Sequence, residues 1–236
     1  MKIFILILSI IISLIPISLI GYYFYNKDTV KEPKWFLFSL FLSGIFSGII
    51  VMIISLIGIG LIPIFRSIPE ANSIILLIIY SYIFIALIEE LSKLFMIYKI
   101  SYHAKEFDQT YDIILYSIFV GLGFVCFENI IYIISNPNIE TSILRSLTAV
   151  PAHICFQIIM GNFLYMYKYQ KKKKYLLFSL ILPMLLHGTY NILIFLRFTS
   201  LVIIDMVFLA ILIYYSQLEI KKVIEIDKNN LKKLTQ

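Results

Sequence analysis

The stretch Ile88-Glu89-Glu90-Leu91-Ser92-Lys93 places three ionisable side chains near the middle of an apolar run that extends from Ser73 to Tyr98. A charge near the centre of a bilayer costs about 2.5–3.5 kcal/mol on insertion scales, so such charges need partners and usually serve a function. On a helix, Glu89 and Lys93 are four residues apart and share a face, whereas Glu90 lies about 100° further round. Lys93 can therefore neutralise one carboxylate and leave the other available for chemistry.

The composition is that of a membrane protein. The 236 residues are 61% hydrophobic and 14% charged, and the mean hydropathy is +0.94. A soluble domain of this size cannot hide so much apolar surface, so we expect an all-α polytopic membrane helix bundle. The formal charge of +6 is explained better by membrane topology than by nucleic-acid binding, because the lysines cluster in short loops and at the C-terminal end. Cys126 and Cys155 lie in apolar runs and are expected to pack as small hydrophobic residues.

Seven apolar runs are long enough to cross a bilayer, which takes about 20 helical residues. They cover residues 3–25, 35–62, 73–98, 112–135, 143–167, 175–197 and 199–216. Pro63 and Pro69 bracket one of the connecting loops, and residues 136–138 read Asn-Pro-Asn, which is a turn signal. The second run contains Gly44 and Gly48 in a G-x-x-x-G spacing, which suits close packing between helices.

The lysines and arginines predict the orientation of the bundle. With the N-terminus outside, the inside segments hold 15 of these residues and the outside segments hold four, while Lys93 is buried in the bilayer. Because basic residues concentrate on the cytoplasmic side, this distribution favours seven helices with the N-terminus out and the C-terminus in. We expect one transmembrane domain over residues 1–236, with a basic cytoplasmic tail at 217–236.

The three apolar runs after the Glu-Glu stretch also contain polar residues deep within the membrane. These are Glu128 and Asn129 in the fourth run, His153 and Gln157 in the fifth, and His187 and Asn191 in the sixth. Rough depths at 1.5 Å per residue allow one shared polar cavity. A membrane histidine taken singly more often makes a packing or interhelical hydrogen-bond contact, and a buried ion pair can serve only to fix helix register. Together, however, three glutamates and two histidines on four consecutive helices are typical of an acid/base set.

Peptide hydrolysis is one reaction that such residues can catalyse. A glutamate in a low-dielectric environment can act as a general base or acid near neutral pH, so Glu89 or Glu90 can activate water. His153 can shuttle a proton or orient the water. His187 and Asn191 can donate hydrogen bonds to the tetrahedral oxyanion. No serine or cysteine pairs convincingly with a histidine, and no His-Glu-x-x-His motif is present, so a zincin-like site would need residues from different helices.

Four motifs resemble those of the PrsW intramembrane proteases. In chain order they are E-E-x-x-K at residues 89–93, F-x-x-x-E-N-x-x-Y at 124–132, Arg145 with His153 and Gly161, and L-P-x-x-L-H-x-x-x-N at 182–191. The match covers about Ile85 to Asn191 and agrees in order and in placement on helices. Each motif alone is weak, but four of them in order are specific.

The resemblance implies an intramembrane endopeptidase in a bacterial cytoplasmic membrane, with a protease core at about 73–197. It also implies membership of the superfamily that includes the CAAX prenyl proteases and the bacteriocin-immunity proteases. The implied substrate is a single-span membrane protein, an anti-sigma factor that is cut on its outer side. Carried over to this chain, Glu89 would be the base that activates water and Glu90 its partner carboxylate. The implied site is completed by Glu128, His153, His187 and Asn191, with Lys93 and Asn129 in supporting positions.

The sequence leaves the need for a metal open. Glu128, His153 and His187 are an acceptable zinc set by ligand type, with a fourth position for water. Lys93 beside the carboxylates disfavours a crowded cation site, so we expect no cofactor, with zinc as the alternative. Glu128 stands where the CAAX branch typically has a histidine, which disfavours a lipid-modified CAAX substrate.

Two other interpretations remain beside the protease. A proton-coupled transporter is the first, because buried Glu, Lys and His residues also build ion relays. Transporters commonly show repeated halves with broken helices, and the sequence shows neither feature. An immunity or scaffold protein that keeps the fold with altered chemistry is the second.

Overall fold

The structure is a computed structural model that describes the backbone of residues 2–61, 73–196 and 199–234 and the side chains of residues 3–61, 73–196 and 203–230. Within these ranges the chain forms nine α-helices and one π-helical segment. They are α1 Lys2–Lys27, α2 Lys34–Leu61, α3 Ile74–Ile79, the π-helical segment Tyr80–Leu87, α4 Ile88–Ile100, α5 Asp112–Ser135, α6 Ile139–Leu147, α7 Ala149–Gln170, α8 Lys173–Phe195 and α9 Thr199–Leu234. The loop predicted between Pro63 and Pro69 lies outside the described residues.

Seven helical stretches in the described part of the chain are long and apolar enough to cross a membrane. They are Ile3–Lys27, Lys34–Leu61, Ile74–Ile100, Asp112–Ser135, Ile139–Gln170, Lys173–Phe195 and Ile203–Asn230. The prediction of an all-α bundle with seven spans is therefore confirmed, whereas the orientation of the termini stays a prediction. The last span is longer than expected, because α9 continues as a helix through the basic residues to Leu234.

Helix α5 forms the centre of the bundle. It packs against α1, α2, α4 and α7, and its first turns are buried completely at positions such as Ile113 and Leu115. Cys126 on α5 and Cys155 on α7 are buried and unbridged, as predicted. Large apolar side chains such as Ile7 on α1 remain exposed, which suits a helix face that meets lipid.

Glycines allow α2 and α5 to cross with their backbones in contact. A Cβ at Gly44 would collide with the backbone carbonyl oxygen of Val120, and a Cβ at Gly123 would collide with that of Phe41. Gly48, one turn further along α2, lies equally close to a side chain of α5. The close packing predicted from the glycine spacing is therefore confirmed, and α2 lies directly against the central helix.

The third span is not a uniform α-helix. Its π-helical segment ends directly before α4, and π-helical turns within α-helices often occur at functional sites. The ring of Tyr82 in this segment lies against Gly188 on α8, and its hydroxyl group lies 2.8 Å from Oγ1 of Thr189. The segment thus ties the third span to α8 next to His187. The sequence predicted one continuous helix over 73–98 and missed this feature.

The fifth span is divided at Thr148 into α6 and α7. Asn138 caps α6 by accepting a hydrogen bond from the backbone N–H of Thr141 at 3.2 Å, in agreement with the predicted turn. Sequence analysis merged the second half of α6 and most of α7 into one run at 143–167. The division matters for the site, because α6 places Arg145 beside the end of α5.

The backbone contact between α2 and α5 predicts opposite effects for two glycine substitutions on α2. Gly44→Ala should lower stability by about 1–3 kcal/mol, because the added methyl group overpacks a closed interface. Gly60→Ala should be neutral or stabilising by up to about 1 kcal/mol, because no described residue lies within 4 Å of a Cβ there and alanine favours the helix. Thermal unfolding in detergent, followed by circular dichroism, measures both, and equal midpoints would contradict the packing.

Candidate active site

The structure brings polar residues from four spans into one buried cluster. The cluster comprises Glu89, Glu90 and Lys93 on α4, Glu128 on α5, His153 on α7 and His187 on α8. The two imidazole rings lie 4.9 Å apart between centroids, and both histidines are 2% exposed. The spans that sequence analysis singled out therefore meet at one place.

Glu90 is held by three neighbours. Its Oε1 atom lies 2.6 Å from Nζ of Lys93 and 2.8 Å from Nδ1 of His187. Its Oε2 atom accepts a hydrogen bond from Nε2 of Gln157 at 2.9 Å. These partners compensate a charge that is fully buried in the membrane interior. Glu90 therefore positions Lys93 and His187 and has little capacity left for a reacting group.

Glu89 retains an oxygen that lacks a close partner. Its Oε2 atom is buried and accepts no hydrogen bond from the described residues. The nearest ion-pair atoms, Nζ of Lys93 and Nε2 of His187, are each 3.9 Å away. Lys93 thus pairs more closely with Glu90, three residues away, than with Glu89 on its own helix face. Because a buried carboxylate oxygen without a donor is costly, Glu89 is suited to bind water or a cation.

Glu128 is held in place by Arg145. Its Oε2 atom lies 3.0 Å from Nη2 of Arg145 and 3.2 Å from Nε2 of His153. Nε of Arg145 donates to Oδ1 of Asn129 at 2.8 Å, and its guanidinium carbon lies 3.9 Å from the ring centroid of Tyr132. Sequence analysis placed Arg145 in a motif but missed its ion pair, because the separate helix α6 was not predicted.

His153 lies between a cation and a carboxylate. Its Nδ1 atom is 3.2 Å from Nζ of Lys93, and its Nε2 atom faces Glu128. Since an ammonium group can only donate, we assign the ring proton of neutral His153 to Nε2. This nitrogen faces Oε2 of Glu128, which has no hydrogen bond of standard geometry among the described residues. The ammonium group of Lys93 also lies 4.2 Å from the ring centroid of Phe124, a cation–π contact that helps to stabilise the buried charge.

A cavity of about 320 Å³ reaches the cluster. Its polar lining consists mainly of Glu89, Glu128, Arg145, His153, His187 and Asn191. Apolar side chains such as Met52, Phe84 and Phe127 line the remainder. Nδ2 of Asn191 is buried and has no hydrogen-bond partner among the described residues, so a donor is available to a bound group. A few polar groups in a largely apolar cavity of this size are typical of a ligand-binding site.

Glu89, His153 and His187 also form a potential metal-binding set. Each offers one ligand atom, and these atoms all lie within 4.8 Å of one another. Two histidines, one glutamate and an open position are a common catalytic zinc arrangement. Glu90 at Nδ1 of His187 fits the carboxylate that usually orients a metal-binding histidine.

The charge balance of the cluster also fits a bound cation. Three glutamates face two basic side chains, Lys93 and Arg145, so the carboxylates outnumber the cations by one. The residues whose potential metal-ligand atoms lie together are Glu89, His153 and His187. The sequence had suggested Glu128 as the carboxylate ligand in place of Glu89. The physical reason for the difference is that Arg145 engages Glu128.

Comparisons with known proteins find relatives over most of the chain. A family model described as PrsW family intramembrane metalloprotease matches residues 32–216. Protease PrsW of Oceanobacillus iheyensis is 36% identical over 197 residues, which is 82% of this chain and 86% of the relative. Protease PrsW of Geobacillus kaustophilus is 35% identical over 179 residues, which is 74% of this chain and 74% of the relative. Protease PrsW of Clostridioides difficile is 29% identical over 210 residues, which is 86% of this chain and 85% of the relative. No solved structure matches the chain.

The family description bears on the cofactor. It names a metalloprotease, and the structure contains a three-residue set that fits a metal. The expectation that no cofactor is needed is therefore not supported, whereas the alternative, zinc, fits the ligand types.

The different surroundings of the two adjacent glutamates predict different effects on stability. Glu90→Gln should lower the stability by about 3–5 kcal/mol, because it leaves the charge of Lys93 buried without its close partner. Glu89→Gln should change it little, because Oε2 accepts no hydrogen bond. Thermal unfolding in detergent with a chelator present measures both variants. A larger loss for Glu89→Gln would contradict the assignment of Glu90 as the positioning residue.

Proposed function

Because the chain belongs to the PrsW family of intramembrane metalloproteases, we propose that it cleaves a membrane-tethered anti-sigma factor at an outer-side site and that Glu89 activates the attacking water. Membership of this family makes the chain a multi-pass protease of a bacterial membrane. One observation supports the role of Glu89: its Oε2 atom has no donor and no cation closer than 3.9 Å. Glu90 and Glu128, in contrast, each have a cationic nitrogen within 3.0 Å.

The proposed reaction uses the groups that line the cavity. Glu89 accepts a proton as water attacks the carbonyl carbon of the scissile peptide bond. The amide group of Asn191, whose Nδ2 has no partner, donates a hydrogen bond to the oxyanion. The carbon–nitrogen bond then breaks, and the proton taken by Glu89 passes to the leaving amine, with His153 as the relay. Glu128 orients His153 through the contact at Nε2.

The same site fits a metal. Glu89, His153 and His187 would hold a zinc ion, which when bound polarises the attacking water and lowers its pKa. Glu90 orients His187 with or without this ion, since it contacts Nδ1 whereas Nε2 faces Glu89. At His153 the ion would take Nε2, the nitrogen that otherwise faces Glu128.

The cavity supports a membrane-embedded peptide as the substrate. Its wall beyond the polar end is largely apolar, with side chains from α2, the π-helical segment, α5 and α8. Apolar walls accommodate the side chains of a single-span protein, and the few polar groups are placed to act on its backbone. We also propose that the chain itself lies in the membrane with its N-terminus outside and its C-terminus inside, which the distribution of its basic residues supports.

The remaining expectations stand as proposals. They are a single domain over 1–236 with a protease core at about 73–197 and a basic tail at 217–236, and a wider relationship to the CAAX prenyl proteases. The matched range 32–216, which contains the whole cluster, supports the first. Nothing in the site favours the transporter, and the relatives found are proteases.

Cleavage of a purified substrate tests the proposed function. We assay single-turnover cleavage of a tethered anti-sigma factor in detergent, with and without a strong chelator. The assay compares the wild-type protein with Glu89→Gln. Glu140→Gln, at an exposed position on α6, is the control. We expect cleavage by the wild type and the control and none by Glu89→Gln. Loss of cleavage on chelation with recovery on added zinc shows that the reaction needs the metal, whereas cleavage that survives chelation supports a metal-independent reaction with Glu89 as the base. Wild-type protein that cleaves no tethered anti-sigma factor would overturn the proposed substrate.

Asn191 is expected to act on the transition state more than on the bound substrate. Asn191→Ala should lower kcat by about 10²–10³-fold with little change in KM, as is found when an oxyanion donor is removed. Asn230→Ala, at an exposed position on α9, is the control. A rise in KM at unchanged kcat would show instead that Asn191 only binds substrate.

A further inference from the structure

A second group of buried acidic side chains lies where the loop between α1 and α2 meets the start of α5. It consists of Asp28 and Glu32 on the loop and Asp112 on α5, which are 4%, 5% and 0% exposed. We refer to these three residues as the acidic cluster. Along α5, Asp112 is about 24 Å from Glu128 at 1.5 Å per residue. The cluster is therefore separate from the active site.

The acidic cluster is built on a cross-linked backbone. Nε2 of Gln109, in the loop before α5, donates to the carbonyl oxygen of Val30 at 3.3 Å, and its backbone N–H donates to Oδ2 of Asp112 at 2.6 Å. The backbone N–H of Glu32 donates to Oδ2 of Asp28 at 3.0 Å. One oxygen of Asp28 and one of Asp112 thus each stabilise their own loop, and the side chain of Gln109 joins the two loops.

The other oxygens of the cluster have no partner. Oδ1 of Asp28, Oε2 of Glu32 and Oδ1 of Asp112 are buried and accept no hydrogen bond from the described residues. Among the described side chains, none of the three carboxylates has a lysine or arginine nitrogen within 4.0 Å. The hydroxyl group of Tyr116 approaches Glu32 but makes no hydrogen bond of standard geometry. Buried oxygens of this kind are typically satisfied by an ordered water or a bound ion.

The charges around the cluster do not compensate it. Glu106 and Asp108 add negative charge from the loop before α5. Lys31 and Lys168 are close enough for their charges to interact with Asp28 and Asp112, but their ammonium groups donate to backbone carbonyl oxygens. Asp227 on α9 also faces this end of α5, and its oxygens accept hydrogen bonds from the backbone N–H groups of residues 110 and 111.

The loop carboxylates respond to this environment. Burial, reinforced by the neighbouring carboxylates, raises the pKa of Glu32 to about 7, and burial raises the pKa of Asp28. Buried carboxylates without a counterion are costly and bind a positive charge, either a proton or a metal ion. The choice between these two depends on the oxygen geometry.

We propose that the acidic cluster, together with the hydroxyl group of Tyr116, binds a hydrated Mg²⁺ ion. Hard divalent cations take oxygen ligands, and Mg²⁺ keeps several waters while one or two carboxylates hold it directly. Among the described residues, ligand atoms converge within 4.8 Å only at Glu89, His153 and His187. The three carboxylates of the acidic cluster do not converge this closely, so an ion bound there would keep water in most of its positions. The bound ion joins the loop between α1 and α2 to the helix that bears Glu128.

Thermal unfolding of the full chain in detergent tests this site. Protein freed of metal with a chelator is titrated with MgCl₂, and the midpoint should rise by about 5 °C when Mg²⁺ is in large excess over its dissociation constant. Glu32→Gln and Asp28→Asn should abolish the rise. Asp205→Asn should keep it, because Asp205 is also a buried carboxylate with an unpaired oxygen but lies on α9. Glu89→Gln should keep it too, which separates this result from the fate of the proposed protease mechanism.

The pH dependence distinguishes a metal from a proton. A pKa raised from 4.5 to about 7 means that the folded state binds more protons than the unfolded state in this window, so stability falls as the pH rises through it. We expect Mg²⁺ to reduce this fall in the wild type and to leave Glu32→Gln unaffected. If the unfolding midpoint of the wild type depends on pH but not on Mg²⁺, the acidic cluster binds protons and the proposed metal site is wrong. An equal rise of the midpoint with Mg²⁺ in Glu32→Gln would also overturn the proposed site.

Discussion

The ion pair between Lys93 and Glu90, at 2.6 Å with both side chains fully buried, is the interaction on which the rest of the site depends. It allows two charges to persist in the membrane interior, because each compensates the desolvation of the other. Glu90 uses the same oxygen to orient His187, and Lys93 donates to His153. Once these contacts are made, Glu89 is the carboxylate of α4 without a close partner among the described residues, and so the pair leaves Glu89 as the glutamate for which we propose the reactive role.

A second ion pair, between Arg145 and Glu128, repeats this arrangement on the other side of the cavity. Glu128 then faces His153 across 3.2 Å, so both histidines have a carboxylate that fixes the orientation of the ring. The contact of Glu90 with Nδ1 of His187 is the kind of outer contact whose removal typically changes metal affinity or activity by about 10–100-fold. The site therefore combines a small number of reacting groups with a larger number of residues that hold them.

The central helix α5 links the parts of the molecule that matter for function. Its glycine contact with α2 places the two backbones against each other, and its far end holds Glu128 opposite the histidines. Its first turn contains Asp112, one of the three residues of the acidic cluster, each of which has one oxygen without a hydrogen-bond partner among the described residues. A cation bound there would fix the start of the same helix whose other end bears a residue of the active site, which explains why buried charge is present at both ends.

The sequence by itself determined the all-α architecture, the seven spans and the set of polar residues that meet, because hydropathy, helical spacing and glycine patterns are local properties of the chain. Only the tertiary structure decided how these residues pair. Lys93 prefers Glu90 over the i+4 partner Glu89 because His187 and Gln157 complete the surroundings of Glu90 from other helices. The π-helical segment, the division of the fifth span at Thr148 and the resulting pair of Arg145 with Glu128 were not predicted, and neither was the acidic cluster. Each of these depends on contacts between residues far apart in the chain, which no local pattern encodes.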